Sequence, residues 1–155
     1  MLALFIFFPK VISGPIIFWR DFQPQIIKRV TDIDDIIAGL EPVMIGFAKK
    51  LILADMFGSF IANIDQSASA SGIDAITAWW TILLYMLQIY YDFAGYYDIA
   101  IGLGRLFGFR FQANFDFPYR SCSITEFWCR WHISLGIWFR EYVYFPLGGS
   151  RRGMR

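Results

Sequence analysis

The chain has 155 residues, 57% of them apolar, 20% aromatic and only 17% charged. With its 13 glycines added, about 65% of the chain is apolar on a scale where soluble domains sit near 45–50%. That excludes a disordered chain and leaves too much apolar surface for a small soluble domain to hide, so a membrane protein is the reading composition favours.

The net charge of +1 conceals a strong asymmetry. Leu51 to Gly104 carries five aspartates and no Lys or Arg, whereas Arg105 to Arg155 carries eight arginines against Asp116, Glu126 and Glu141. In a membrane protein this is topological information. No Lys/Arg stripe accompanies it, so nucleic acid is not an expected partner. Cys122 and Cys129 are seven residues apart, beyond disulfide reach if both are helical. With a single histidine they cannot assemble a Cys/His zinc site, and buried, inert thiols are expected. Met1 to Phe8 is apolar but lacks the basic flank and cleavage site of a signal peptide. The chain is expected to be one partial domain, residues 1–155, cut at both ends.

Phe7 to Phe22 is broken by Pro9, Gly14 and Pro15, which predicts a kinked or re-entrant segment. Trp19 and Arg20 are residue types of a membrane interface. Asp21 to Asp35 reads as an exposed loop, with Asp34 and Asp35 as caps for a following helix. Ile36 to Ile64 is helical in pattern, and its Lys49 and Lys50 need an interface or a wet cavity. Gln66 to Gly72 reads as a flexible connector.

Ile73 to Tyr91 has the length of a membrane span, with Trp79, Trp80, Tyr90 and Tyr91 near its ends. Arginines follow it and aspartates precede it, so its C-terminal end is expected on the cytoplasmic side. Asp92 and Asp98 then either line a polar cavity or meet solvent at the interface. Gly102, Gly104 and Gly108 follow a GxGxxxG spacing with no preceding strand, which fits close helix packing better than a dinucleotide loop.

Phe107 to Arg120 alternates aromatic and polar residues, the period of an extended chain. A lone strand cannot cross lipid, so this segment is expected at the interface or inside protein. Ser123-x-x-Glu126 is a capping-box pattern that opens a helix running to Pro146. Within that helix His132 would face a gap between Cys129 and Gly136, walled by Trp128, Trp131 and Leu135. Two readings of it are open, a core histidine bonded to a carbonyl or a titratable site group. Ser134, two positions away, would point elsewhere. Residue patterns alone reach no further than a polytopic membrane segment with a candidate histidine.

The stretch TEFWCRWHISLGIWFREYVYFPLGGSRRG, Thr125 to Gly153, resembles the signature of the membrane-bound O-acyltransferase family, in particular its alginate O-acetylation branch. FFPKVISGPI, DFQPQ, GFAKKLILAD and LQIYYDFAGYYDIAIGLGRLFGFRFQANFDFPY resemble other family stretches in the same order. The resemblance implies an all-α polytopic membrane protein, with transmembrane and re-entrant helices and one extended aromatic interfacial segment. It implies transfer of an acetyl group from a cytoplasmic thioester such as acetyl-CoA to hydroxyls of an exported polysaccharide. No bound cofactor is implied. The expected surroundings are the bilayer of the bacterial inner membrane and periplasmic O-acetylation proteins.

His132 falls on the family's WHIS histidine, and the family's second active-site histidine lies downstream of Arg155. Trp128, Arg130, Trp131, Gly136, Arg140, Asp92 and Asn114 are candidate substrate contacts, with Arg151 and Arg152 as further candidates for donor phosphates or a solvated face. Cys129 and Gly136 depart from the basic residue and the serine that relatives commonly carry there. A non-catalytic scaffold for a periplasmic partner is the alternative function, and it would be indifferent to His132.

Overall fold

A computed structural model describes Gly14, residues 16–27 and residues 32–151. The breaks expected at Pro9 and Pro15, and Arg152 and Arg155, lie outside the described residues. Among the described residues every regular element is helical: α1 (Trp19–Ile27), α2 (Ile33–Phe47), a π-helical stretch (Ala48–Ala54), α3 (Asp55–Ser71), α4 (Ala75–Leu106), α5 (Ile124–Arg130) and α6 (Ile133–Phe139). A π-helical turn (Arg140–Tyr144) follows α6, and short 3-10 turns occupy Pro118–Arg120 and Gly149–Arg151.

Asp21 to Asp35 is thus not one exposed loop. Its first part is α1, anchored because Phe22 is buried and stacks on Phe109 with ring centroids 5.0 Å apart. The cap of α2 is Asp32, whose carboxylate accepts from the Asp35 amide at 2.8 Å. Asp35 is instead buried, 5% exposed, and takes Arg105 at 3.3 Å and Arg110 at 2.9 Å. The Arg110 hydrogen bond, with Arg105 behind it, holds the Asp35 carboxyl below the usual carboxylate range. A residue read as a local cap therefore ties α2 to the far end of α4.

Helices α2 and α4 lie antiparallel along a glycine seam. Gly46 faces Gly95, and two turns away Gly39 faces Gly102. A Cβ built on Gly46 would stand 2.5 Å from the Gly95 carbonyl oxygen, and one on Gly102 would stand 2.5 Å from that of Gly39. Only glycine permits this backbone approach, as small-residue packing predicts. Gly104 makes room for the Phe111 ring, and Gly108 (φ 78°) turns the chain out of α4. That exit is a Schellman motif, with Phe109 N–H donating to the Gly104 carbonyl and Gly108 N–H to that of Arg105, both at 2.9 Å.

The wide π-helical stretch aims two consecutive lysines at α4. Lys49 Nζ meets Asp98 at 2.5 Å and Lys50 meets Asp92. The two isolated puzzles of the sequence, lysines within one helix and aspartates within another, answer each other.

The expected connector at Gln66 to Gly72 is helical as far as Ser71. Ser67 and Ser69 donate their hydroxyls to the carbonyls of Asn63 and Asp65, which lets polar residues stay helical, and Gly72 (φ 80°) ends the helix. Asp74 caps α4 by accepting from the amides of Ile76 and Thr77.

At 32 residues α4 is long enough to cross a bilayer, at roughly 1.5 Å per residue. Its first half, where a span was expected, is diluted by Trp79, Trp80, Tyr85, Gln88, Tyr90 and Tyr91, and no helix among the described residues is long and apolar enough to cross a membrane. That half nevertheless exposes large apolar side chains, with Ile76 71%, Trp79 67% and Trp80 61% accessible.

Candidate active site

After α4 the chain returns in an irregular extended segment. The alternation predicted for Phe107 to Arg120 holds from buried Phe109 through exposed Gln112, then fails. Ala113 is exposed and Asn114 is buried, 2% accessible, so the polar residue has taken the inward position. Its partners explain the reversal. The Asn114 carbonyl accepts from Ile133 N–H at 3.0 Å and its side-chain Oδ1 accepts from Ser134 N–H at 2.7 Å. Asn114 thereby satisfies two of the unpaired amides at the start of α6.

Those bonds break the helix expected from Ser123 to Pro146. Ser123 does cap α5, with its hydroxyl accepting from Glu126 N–H at 3.1 Å, while the Glu126 carboxylate accepts from Cys122 N–H at 2.9 Å. But α5 stops at Arg130, and His132 adopts a left-handed backbone (φ 47°) before α6 begins. Such a conformation is strained for a residue with a side chain and needs its surroundings to hold it. It also turns the imidazole away from the gap expected between Cys129 and Gly136. A Cβ on Gly136 would meet only the Trp128 carbonyl, at 3.9 Å, and both cysteines are exposed, contrary to the buried thiols expected.

The half-buried His132 ring sits among Phe93, Tyr97 and Phe115, with centroids 5.3, 5.5 and 6.4 Å away. Both ring nitrogens are engaged: Nδ1 lies 3.1 Å from Asn114 Nδ2, and Nε2 lies 3.3 Å from the Tyr97 hydroxyl. Tyr97 is itself 2% accessible and donates to the Gly14 carbonyl at 3.4 Å. His132 stands between two seven-residue helices, neither able to span a bilayer, and burial lowers its proton affinity below the ordinary 6.5. The lowered affinity favours the neutral ring over the imidazolium.

Stability supplied by the neutral ring is therefore complete above about pH 6.5 and is lost as the pH falls from there through the folded-state value. An NMR titration of His132 should show its midpoint below 6.5.

On the other side of Asn114 and Ser134 lies a cavity of about 560 Å³, bordered also by Gln25, Arg110, Gln112 and Ile137. That volume falls within the roughly 300–1,000 Å³ usual for small-molecule sites. His132 does not line it and is joined to it through Asn114.

The profile described as "MBOAT, membrane-bound O-acyltransferase family" matches residues 1–155. The chain belongs to the membrane-bound O-acyltransferase family. It is 44% identical to a probable alginate O-acetylase AlgI of Pseudomonas fluorescens, over 94% of the chain and 29% of that relative. A peptidoglycan O-acetyltransferase of Helicobacter pylori is 41% identical over 96% of the chain and 29% of the relative. A teichoic acid D-alanyltransferase of Streptococcus thermophilus is 34% identical over 94% of the chain and 36% of the relative. The chain thus spans about a third or less of the length of these relatives.

Within this segment the candidate residues separate. His132 and Asn114 are in direct contact, and Trp131 packs beside them on Phe115 with centroids 5.0 Å apart. Arg130 lies close by, but its guanidinium meets Asp116 at 3.0 Å and Glu126 at 2.9 Å, clipping the returning segment to α5. Trp128 is 60% exposed, Gly136 and Arg140 are exposed, and Asp92 is paired with Lys50. None of these last four joins the His132 cluster. Tyr97, Phe93 and the Ser134 amide belong to the cluster and were missed in the sequence. Phe93 and Tyr97 are four apart on α4, so helical spacing placed them on one face, but nothing local marked that face as the one turned to His132.

Proposed function

We propose that this chain is the His132-bearing segment of a membrane-embedded O-acyltransferase that moves acetyl from a cytoplasmic thioester, such as acetyl-CoA, towards hydroxyls of an exported polysaccharide. The observation that carries the reading is His132 itself, the WHIS histidine, set among aromatic rings with both nitrogens engaged. The acetyl group is favoured because the acetyl-transferring relatives are 44% and 41% identical, against 34% for the D-alanyl one.

In the reaction the acceptor oxygen attacks the thioester carbonyl, a C–O bond forms and the C–S bond breaks. The hydroxyl proton ends on the departing sulfur. An aromatic-walled site limits loss of the thioester to water. The exposed apolar face of α4 supports a bilayer setting, in the bacterial inner membrane, and periplasmic O-acetylation proteins would be the partners that receive the acetyl group. The acyl donor acts as co-substrate, and no bound cofactor is needed.

Deleting the complete gene that encodes this chain should strip O-acetyl esters from the exported polymer, and restoring it should return them. An unchanged ester content in the deletion strain would refute the reading.

A further inference from the structure

The hydrogen bonds around His132 all run in one direction. The Ser134 backbone N–H can only donate, so the Asn114 atom 2.7 Å from it must be the amide oxygen. Exchanging the amide's two ends would set its NH2 against that N–H. Asn114 therefore presents its NH2 to His132 Nδ1, 3.1 Å away, and Nδ1 must accept with its lone pair. In a neutral imidazole the proton is then on Nε2, which donates to the Tyr97 hydroxyl at 3.3 Å, and Tyr97 donates to the Gly14 carbonyl at 3.4 Å. A backbone amide fixed by the start of α6 thus sets the tautomer of the histidine beside it.

We propose that Asn114, oriented by the Ser134 amide, is a positioning residue that locks His132 as an Nε2–H donor, so that His132 serves acyl transfer by donating a hydrogen bond rather than by taking a proton at Nε2. The inference rests on the proposed function for the word transfer, but the tautomer is a property of the fold alone. A donor at Nε2 suits the carbonyl oxygen of the thioester, which gathers negative charge as the acceptor oxygen attacks. The 2% accessibility of Asn114 keeps water from taking the place of its amide at Nδ1, whereas Nε2–H rests on the Tyr97 hydroxyl beside a half-buried ring and would turn from it to the thioester oxygen as the acyl group enters.

The test is 15N NMR of histidine-labelled complete protein in lipid nanodiscs, with the His132 signals assigned by their loss in His132→Asn. The expected spectrum shows a protonated, pyrrole-type Nε2 and an unprotonated, pyridine-type Nδ1. A protonated Nδ1 in the wild type would overturn the proposal, and this measurement requires no variant to fold. Asn114→Asp supplies the second arm. Aspartate still accepts from Ser134 N–H but offers Nδ1 another acceptor, so the proton should move to Nδ1 and transfer should fall by roughly 10²-fold. An inverted tautomer with wild-type transfer would also overturn the donor role. A wild-type protein that shows the expected spectrum but transfers no acyl group would instead refute the proposed function and leave the tautomer in place.

Discussion

Replacing His132 with alanine is expected to lower acyl transfer by roughly 10²–10³-fold, the usual effect of removing one hydrogen-bond donor from a developing oxyanion. Structural collapse is the competing explanation. Alanine removes a ring that touches Phe93, Tyr97 and Phe115, and it deprives Asn114 and Tyr97 of a partner, at about 1–3 kcal/mol for each buried polar group left unmade. His132→Asn separates the two. Asparagine tolerates the left-handed backbone better than most residues and keeps a polar side chain, yet its amide is too short to replace the imidazole. The asparagine variant should be the more stable of the two in thermal unfolding, and equally inactive in transfer. Recovery of transfer in the asparagine variant would show that the ring supports the fold and not the reaction.

The second large effect is expected at the glycine seam. In Gly46→Ala the new methyl would stand 2.5 Å from the Gly95 carbonyl oxygen and 2.9 Å from the Ile99 amide nitrogen, so backbone rather than a flexible side chain must yield. Alanine gains about 1 kcal/mol of helix propensity over glycine. Pushing α2 off α4 costs about 1–3 kcal/mol in overpacking at this point alone. It also opens the neighbouring Gly39–Gly102 approach, so the cost should exceed the gain, with a net loss of about 2 kcal/mol. Gly136→Ala is the control. Its methyl meets nothing nearer than the Trp128 carbonyl at 3.9 Å, so propensity should win and stability should hold or rise by up to about 1 kcal/mol. Unfolding in detergent, followed by circular dichroism, measures both, and equal melting temperatures for the two variants would contradict the seam.

Features written in local sequence were legible. The cap at Ser123 follows from propensity and the close helix packing at Gly102 from its lack of a side chain, and the structure realises both, whereas Gly104 makes room for the Phe111 ring and Gly108 ends the helix rather than packing against another one. What escaped was set by residues far away in the chain. Nothing in WCRWHIS breaks a helix, for it has neither proline nor glycine, and the break at His132 exists because Asn114, 18 residues earlier, claims the first amides of α6. Asp35 looked like a cap because it precedes apolar periodicity, but Arg105 and Arg110 make it the centre of an ion-pair cluster.

The alternation through Phe111 was readable until the same asparagine turned inward. Of the candidate site residues, His132 and Asn114 came together, whereas Asp92 pairs across the helices with Lys50 of the π-helical stretch. A single sequence marks residues suited to a site, and pairing across helices decides which of them share one.

A transfer assay in membranes carrying the complete protein decides whether His132 takes part in the reaction. Acetyl-CoA labelled in its acetyl group is supplied with an exported polysaccharide acceptor and its partner proteins, for wild type and His132→Asn at matched protein levels. The wild type is expected to place hydroxylamine-labile label in the acceptor, matched by release of free thiol, and the variant to lose roughly 10²-fold or more of it. Equal ester formation by the two proteins would contradict a part for His132 in the reaction.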